Sequence, residues 1–228
     1  MGIGKGIILR LASFERHGRE SWGVITADGI VDLGEATTLG QAIASGATRD
    51  LGAAMAANTN NAIPLDQVTW LPVITDPGQI LCIGLNYDEH VKETRRERAS
   101  HPTVFARFAR CQVGHNAPIL RPCESTMLDY EGELAIIIGK PGRRIEAARA
   151  LDHIAGYACY NDASVRDFQR HTTQFHPGKN FPATGAFGPW IVTADEIADP
   201  MQLQIRLWNN GRLRQNFNTS DMAHNIAR

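Results

Sequence analysis

The spacing of apolar and polar positions changes several times along the chain, and each change marks an element. Ile7 to Phe14 alternates loosely, as a half-buried strand does. Trp22 to Thr26 and Ile30 to Leu33 are β-prone runs on either side of Ala27-Asp28-Gly29, and Asp-Gly between such runs predicts a hairpin because both residues tolerate positive φ. Thr37 or Thr38 is placed to cap a short helix running through Ala44, with Gly46 as its stop. A further helix is expected from Asp50 to Ala57, and the polar stretch from Asn58 to Pro64 breaks all periodicity and reads as a linker. Ile80 to Leu85 is then a continuous apolar run, expected to be a strand buried on both faces. Leu134 to Gly139 is a second such run. Asn86 to Arg98 is polar and helical or looped, Glu146 to Ala155 fits a helix, and Gly188 to Val192 opens a strand. Leu203 to Trp208 alternates cleanly, and Asn209-Asn210-Gly211 turns it back into Arg212 to Phe217 as a second hairpin. The last residues, Asp221 to Arg228, read as the first turns of a helix. Short strands with few short helices and no repeat predict an α+β fold with mixed sheets. The division falls near residue 72, with a small α+β unit at 1–72 and a larger one at 73–228.

Composition narrows the function classes. The chain has 228 residues, with 23 Lys+Arg against 24 Asp+Glu and a formal net charge of -1. Only 4 of the basic residues are lysine, and no dense cationic run exists, so binding to nucleic acid by bulk electrostatics is not expected. No stretch of about 18 apolar residues predicts a membrane span, and no hydrophobic signal core follows Met1, so a cytoplasmic protein is expected. Cys82, Cys111, Cys123 and Cys159 are scattered without a C-x-x-C pair, which argues against a zinc site or a disulfide framework.

The sharpest chemistry lies in Asp129-Tyr130-Glu131-Gly132-Glu133-Leu134. On a continuous strand Asp129, Glu131 and Glu133 share one face. Like charges a pleat apart repel unless a cation neutralises them, and carboxylate oxygens suit Mg²⁺, Mn²⁺ or Ca²⁺. Asn161-Asp162 follows another apolar run and brings a further carboxylate within reach after a return strand. A second constellation follows the Ile80 run. His90 and Glu93 stand at i and i+3, where a carboxylate orients an imidazole as a water-activating base requires.

Taken in order, Ile83-Gly84-Leu85-Asn86-Tyr87-x-x-His90, the acidic segment from Asp129 to Leu134, Gly156-Tyr157-x-x-Tyr160-Asn161-Asp162-x-Ser164-x-Arg166-Asp167-x-Gln169, Gly178-Lys179-Asn180-Phe181 and Gly188-Pro189-Trp190 resemble the fumarylacetoacetate hydrolase family. The resemblance covers about residues 72 to 228. It implies a mixed β-roll core, a Mg²⁺ or Mn²⁺ ion, a homodimer, and a small 2-oxo or 1,3-diketo acid as substrate, often from aromatic compound catabolism. By motif match Glu131, Glu133 and Asp162 are the implied metal ligands, with Asp129 in support. His90 with Glu93 is the implied water-activating dyad, and Lys179 the cation beside the developing oxyanion. Arg166, Gln169 and Tyr87 fall at substrate-contacting positions. The activity implied is hydrolysis of a C–C bond in an acylpyruvate- or fumarylpyruvate-like 2,4-dioxo acid. Isomerisation or decarboxylation of a 2-oxo- or 2-hydroxy-heptadienedioate on the same metal site is the alternative. A metal-dependent nuclease or phosphatase built on the acidic segment is disfavoured by the sparse lysines.

The sequence departs from the family pattern at three places. Pro182 follows Phe181 where an aspartate is common, and Arg107 stands in Phe105-Ala106-Arg107 where lysine is common. In motif order, a helix, a Thr-Gly-Thr-Pro segment and closing strands are expected beyond Arg228, which makes the 73–228 unit incomplete at its C-terminal side.

Overall fold

The computed structural model describes residues 9–34, 36–49, 51, 61–87 and 100–228. Strands β1 (Arg10–Arg16), β2 (Arg19–Thr26) and β3 (Gly29–Asp32) form an antiparallel meander, with Thr26 opposite Gly29 across the expected tight turn. Helix α1 (Leu39–Ser45) falls where the sequence cues place it and is capped as they predict. Thr38 Oγ1 accepts from the Gln41 amide at 3.1 Å and Gln41 Oε1 accepts from the Thr38 amide at 3.3 Å, a reciprocal capping box. Gly46 ends the helix at φ 79°, a left-handed position that favours glycine. Leu39, Ala42 and Ile43 recur at i, i+3 and i+4, and all three are buried. The helix expected at Asp50 to Ala57 lies outside the described residues apart from Leu51, which joins the core.

Seven more strands lead up to the segment around the site. They are β4 (Thr69–Trp70), β5 (Ile80–Gly84), β6 (Thr103–Arg107), β7 (Gln112–Val113), β8 (Leu128–Asp129), β9 (Gly132–Ile138) and β10 (Ile154–Asp162). β11 (Ser164–Val165) leads into the short turns α2 (Arg166–Gln169) and α3 (His176–Lys179). β12 (Gly185–Phe187), β13 (Ile191–Thr193) and the hairpin β14 (Gln204–Asn209) and β15 (Arg212–Asn218) follow. One nine-stranded sheet runs β3-β2-β1-β13-β10-β12-β7, with β9 beside β10 and β4 beside β1. Among the described residues only β12 and β7 pair in parallel; the sheet is mixed, as expected. Pairing of β1 with β13 makes the N-terminal meander continuous with the later strands. A single core cluster accordingly draws Leu11, Trp22 and Val24 together with Ile137, Ala158 and Ile191. Burying each such aliphatic side chain contributes about 1.5–3 kcal/mol.

Several expectations are corrected. Ile80 to Gly84 is a strand, but buried on one face only: β5 pairs with β6 alone, leaving Leu81 at 61% and Ile83 at 43% exposure. The expected helix at Glu146 to Ala155 is a 3₁₀ stretch, Ala147–His153, with no side chain capping its start, and Ile154 already belongs to β10. The C-terminal residues do not begin a helix either. Thr219–Asp221 makes one 3₁₀ turn capped by Asn218, and bends and a turn follow it, because Ala223 and His224 bond to Asn86 rather than to the turn before them. Among the described residues no helix is long and apolar enough to cross a membrane, and all four cysteines are free.

Candidate active site

The acidic segment is not one strand. Asp129 ends β8, which pairs with β11 so that Asp129 lies opposite Ser164. Gly132 begins β9, which pairs with β10. The chain changes partner between them, so Asp129 is separated from the face that carries the two glutamates. That face follows from register. Glu133 lies opposite Tyr160 and Gly132 opposite Asn161, and the Asp162 amide donates to the Glu131 carbonyl at 2.7 Å. Opposed residues share a face and faces alternate along a strand. Glu131, Glu133, Tyr160 and Asp162 therefore project from one side of the β9–β10 pair.

Two buried cations are threaded among these carboxylates. Lys179 is 1% exposed. Its ammonium donates to Glu131 Oε2 at 2.6 Å, Asp162 Oδ2 at 2.7 Å and the Asp162 carbonyl at 3.2 Å, which uses all three of its protons. It also lies 5.1 Å from the centre of the Phe105 ring. Gly178 makes this placement possible: a Cβ there would stand 2.4 Å from the Gln169 amide nitrogen, so only glycine lets α3 lie against the end of α2. Arg107, the last residue of β6, pairs with Asp162 Oδ1, and its guanidinium stacks over Tyr160 with 5.8 Å to the ring centre.

A third cation brackets the outer side. Arg166 holds Asp129 through Nε at 2.9 Å and Nη2 at 2.8 Å, and through Nη1 it reaches Glu131 and Gln169 Oε1, the latter at 3.0 Å. The guanidinium expected to grip a substrate carboxylate is thus already occupied by two protein carboxylates, and Gln169 is tied to it. Tyr87 stands across the site, buried, with its ring 4.4 Å from that of Phe217. Its hydroxyl has no hydrogen-bond partner among the described residues. Burial raises its pKa, and the negative charge of Glu133 raises it further. Leu85, held at φ 57°, makes the corner that turns the chain off β5 toward Tyr87. His90 and Glu93 lie outside the described residues.

The charge balance singles out Glu133. Four carboxylates (Asp129, Glu131, Glu133 and Asp162) face three cations (Arg107, Arg166 and Lys179). Among the described residues no hydrogen bond or ion pair reaches the Glu133 carboxyl. Burial, with Glu131 and Asp162 adding to it and Lys179 opposing, pushes its carboxyl up to about 8. Among the described residues no three His, Cys, Asp or Glu side chains are gathered into a ready cage for an ion. The Lys179 ammonium stands between Glu131 and Asp162 instead. The residues nevertheless fit a hard divalent cation: every donor is a carboxylate oxygen, the three lie on one sheet face, and the carboxyl groups outnumber the cations beside them by one.

Sequence reasoning left three participants without a role. Arg107 was visible only as a departure within Phe105-Ala106-Arg107. Cys82, paired in register with Phe105, turns its thiol to the same cluster, where burial and then Asp162 push it up to about 12. Asn180 binds β6 to α3, accepting from the Phe108 amide at 2.8 Å and donating to the Ala106 carbonyl at 3.1 Å. Its place beside Lys179 in the quoted motif was the available signal.

The fold and the site together define a mixed-sheet protein with a carboxylate-rich centre of the kind that holds a divalent ion. The chain belongs to the fumarylacetoacetate hydrolase family: the model of the family's C-terminal domain, Fumarylacetoacetate (FAA) hydrolase C-terminal, matches residues 79–228. It is similar to a fumarylacetoacetate hydrolase from psychrophilic Exiguobacterium antarcticum, at 33% identity and a TM-score of 0.82 over 96% of this chain and 78% of that one. A maleylpyruvate hydrolase from Sphingobium sp. SYK-6, solved in complex with manganese(II) ion and pyruvate, matches at 29% identity and a TM-score of 0.78 over 96% and 80% of the two chains. Among curated relatives, a mitochondrial oxaloacetate tautomerase of Bos taurus is 39% identical over 163 residues, 71% of this chain and 52% of the relative. The chain spans about half the length of the curated relatives it matches. These relatives are enzymes, and they include hydrolases, an isomerase and tautomerases.

Proposed function

We propose that this chain carries the metal centre of an enzyme that hydrolyses a C–C bond in a small 2,4-dioxo acid of the acylpyruvate or fumarylpyruvate type. The observation that carries the reading is the single sheet face bearing Glu131, Glu133 and Asp162, where the buried cations pair with Glu131 and Asp162 and leave the Glu133 carboxyl without one. Those three carboxylates would hold Mg²⁺ or Mn²⁺. When bound, such an ion supplies Lewis-acid polarisation of a carbonyl oxygen and charge compensation. With Glu133 ionised, its two positive charges turn the centre from one excess negative charge to one excess positive charge, which suits an anionic oxo acid.

The chain's own residues take the remaining roles. Lys179 holds a buried positive charge where an oxyanion would develop, fixed in place by Asp162. Arg166 with Gln169 orients Glu131 and lines the approach, and Tyr87 presents an uncommitted hydroxyl to a substrate oxygen. His90 with Glu93 would take the proton from the attacking water. The protein would act as a homodimer in the cytoplasm.

A second reading is favoured by the oxaloacetate tautomerase relatives and by the structural similarity to a 2-hydroxyhepta-2,4-diene-1,7-dioate isomerase from Mycobacterium marinum. Here the same centre moves a proton on an enolisable 2-oxo acid, or decarboxylates one, without water attack. A panel of acylpyruvates, oxaloacetate and 2-oxo-heptenedioates, assayed with Mg²⁺ or Mn²⁺ and product analysis, separates the two. Hydrolysis predicts stoichiometric pyruvate and a carboxylic acid from an acylpyruvate, lost in H90A. Enol–keto exchange or CO₂ release with no acid product would overturn it in favour of the second reading.

A further inference from the structure

Asp162 is gripped from both sides, and the two grips differ. Oδ2 meets the Lys179 ammonium, a point charge that Glu131 shares. Oδ1 meets Nη1 of Arg107, whose planar fork is itself fixed at three further points. Nη1 also donates to the Ala163 carbonyl at 3.1 Å, and Nη2 donates to Thr184 Oγ1 at 2.8 Å. The Thr184 hydroxyl in turn donates to the Phe181 carbonyl at 2.6 Å, so its lone pairs are aimed at the guanidinium. The Tyr160 ring covers the flat face. Thr184 is fully buried and the Arg107 side chain has no exposed surface, yet Arg107 Nε has no partner.

A buried ion pair is a poor device for stability alone, because apolar side chains of similar volume usually serve as well or better. What this arrangement supplies is geometry. A carboxylate free to turn about its last torsion can offer an ion one oxygen or two. Here Oδ1 is committed to a rigid, permanently charged fork, and Oδ2 is the oxygen that shares the Lys179 ammonium with Glu131. We propose that Arg107 is a positioning residue that withholds Asp162 Oδ1 and presents Oδ2 in a fixed direction to a divalent cation. The proposal rests on the reading of Glu131, Glu133 and Asp162 as the ligand set. Positioning and simple electrostatics predict opposite signs. Deleting a positive charge next to a cation site tightens cation binding by Coulomb's law, whereas loosening a ligand weakens it.

The test is titration of the whole 228-residue chain with Mn²⁺, following free Mn²⁺ by electron paramagnetic resonance, for wild type, R107K, R107M and T184V. Circular dichroism and metal-free melting show which variants are folded. The expected result is a Kd raised about tenfold to a hundredfold in R107K and R107M, the range seen when a residue that orients a ligand is lost, and a smaller rise in T184V. R107K keeps the charge but cannot span Asp162 and Thr184 together, so weakening there reads geometry rather than charge. Wild-type affinity in folded R107K, or tighter binding in R107M, overturns the proposal. If neither Arg107 variant folds, T184V decides, and an unchanged Kd there overturns it. A wild-type chain that takes up no Mn²⁺ overturns the ligand set itself, and the proposal with it.

Discussion

The β1–β3 meander with α1 and the carboxylate centre are buried in the same molecule by opposite means. In the first, Leu11, Phe14, Val24 and Ile30 are nearly inaccessible to solvent and neutral, and burial itself stabilises them. In the second, Arg107, Asp162 and Lys179 are equally inaccessible and charged, and burial alone would expel them. They remain because each charge meets an opposite one within hydrogen-bonding distance. The meander needs only neighbours of the right size. The centre needs a specific set of partners drawn from β6, β9, β10 and the turns after β11, and Glu133 is the place where that set falls one charge short.

Two substitutions of similar size break the comparison most strongly. F14A should cost about 3–5 kcal/mol by leaving a cavity, and the loss should be unchanged by Mg²⁺ or by pH between 5 and 8. K179M should cost about 3–5 kcal/mol by leaving Glu131 and Asp162 face to face without their shared cation. Millimolar Mg²⁺ should restore much of that loss. Urea unfolding with and without Mg²⁺ checks both, and a metal-independent K179M defect would erase the distinction. Next in size, T38A removes the α1 cap and should cost about 0.5–2 kcal/mol, with no change in Mn²⁺ affinity.

A third prediction follows from Glu133. Its folded pKa of about 8 stands above the ordinary 4.5, so the folded chain holds a proton that the unfolded chain has released. Stability of the metal-free protein should therefore fall as pH rises from about 4.5 toward 8, and level off above. The charged groups facing this carboxyl are Glu131, Asp162 and Lys179. Mn²⁺ uptake at pH 7 should release a proton from it, measurable by calorimetry in two buffers of different ionisation enthalpy, and affinity should rise with pH up to about 8. Heat independent of the buffer would contradict this. The smallest effect concerns thiols. Cys123 is exposed, while burial pushes the Cys82 thiol up to about 12. Iodoacetamide at pH 8 should label Cys123 well before Cys82, as peptide mass mapping would show.

What the sequence made legible was local. The capping of α1, the β2–β3 turn and the β14–β15 hairpin rest on neighbours within a few residues, and the structure bears them out. The α+β class followed from short strands with few short helices, and the family from motifs in order. The misreadings concern partners far along the chain. The apolar run at Ile80 to Gly84 does not reveal that β5 pairs only with β6. Alternation from Asp129 to Glu133 does not reveal that the chain leaves β11 for β10 midway. The C-terminal residues look helical until Asn86, 138 positions earlier, takes their backbone groups. Arg107 was visible as an oddity, but its meaning depends on Asp162 and Thr184, which lie 55 and 77 residues away.

The central claim is that the sheet face bearing Glu131, Glu133 and Asp162 holds a divalent ion. Glu133 tests it most cleanly, because among the described residues nothing depends on its carboxylate, so E133Q removes a donor charge without stranding a partner. Mn²⁺ titration of wild type and E133Q at pH 8 is the measurement. The account predicts one Mn²⁺ per wild-type chain and a large loss of affinity in a folded E133Q. Equal affinity in the two proteins, or no uptake by either, would contradict it.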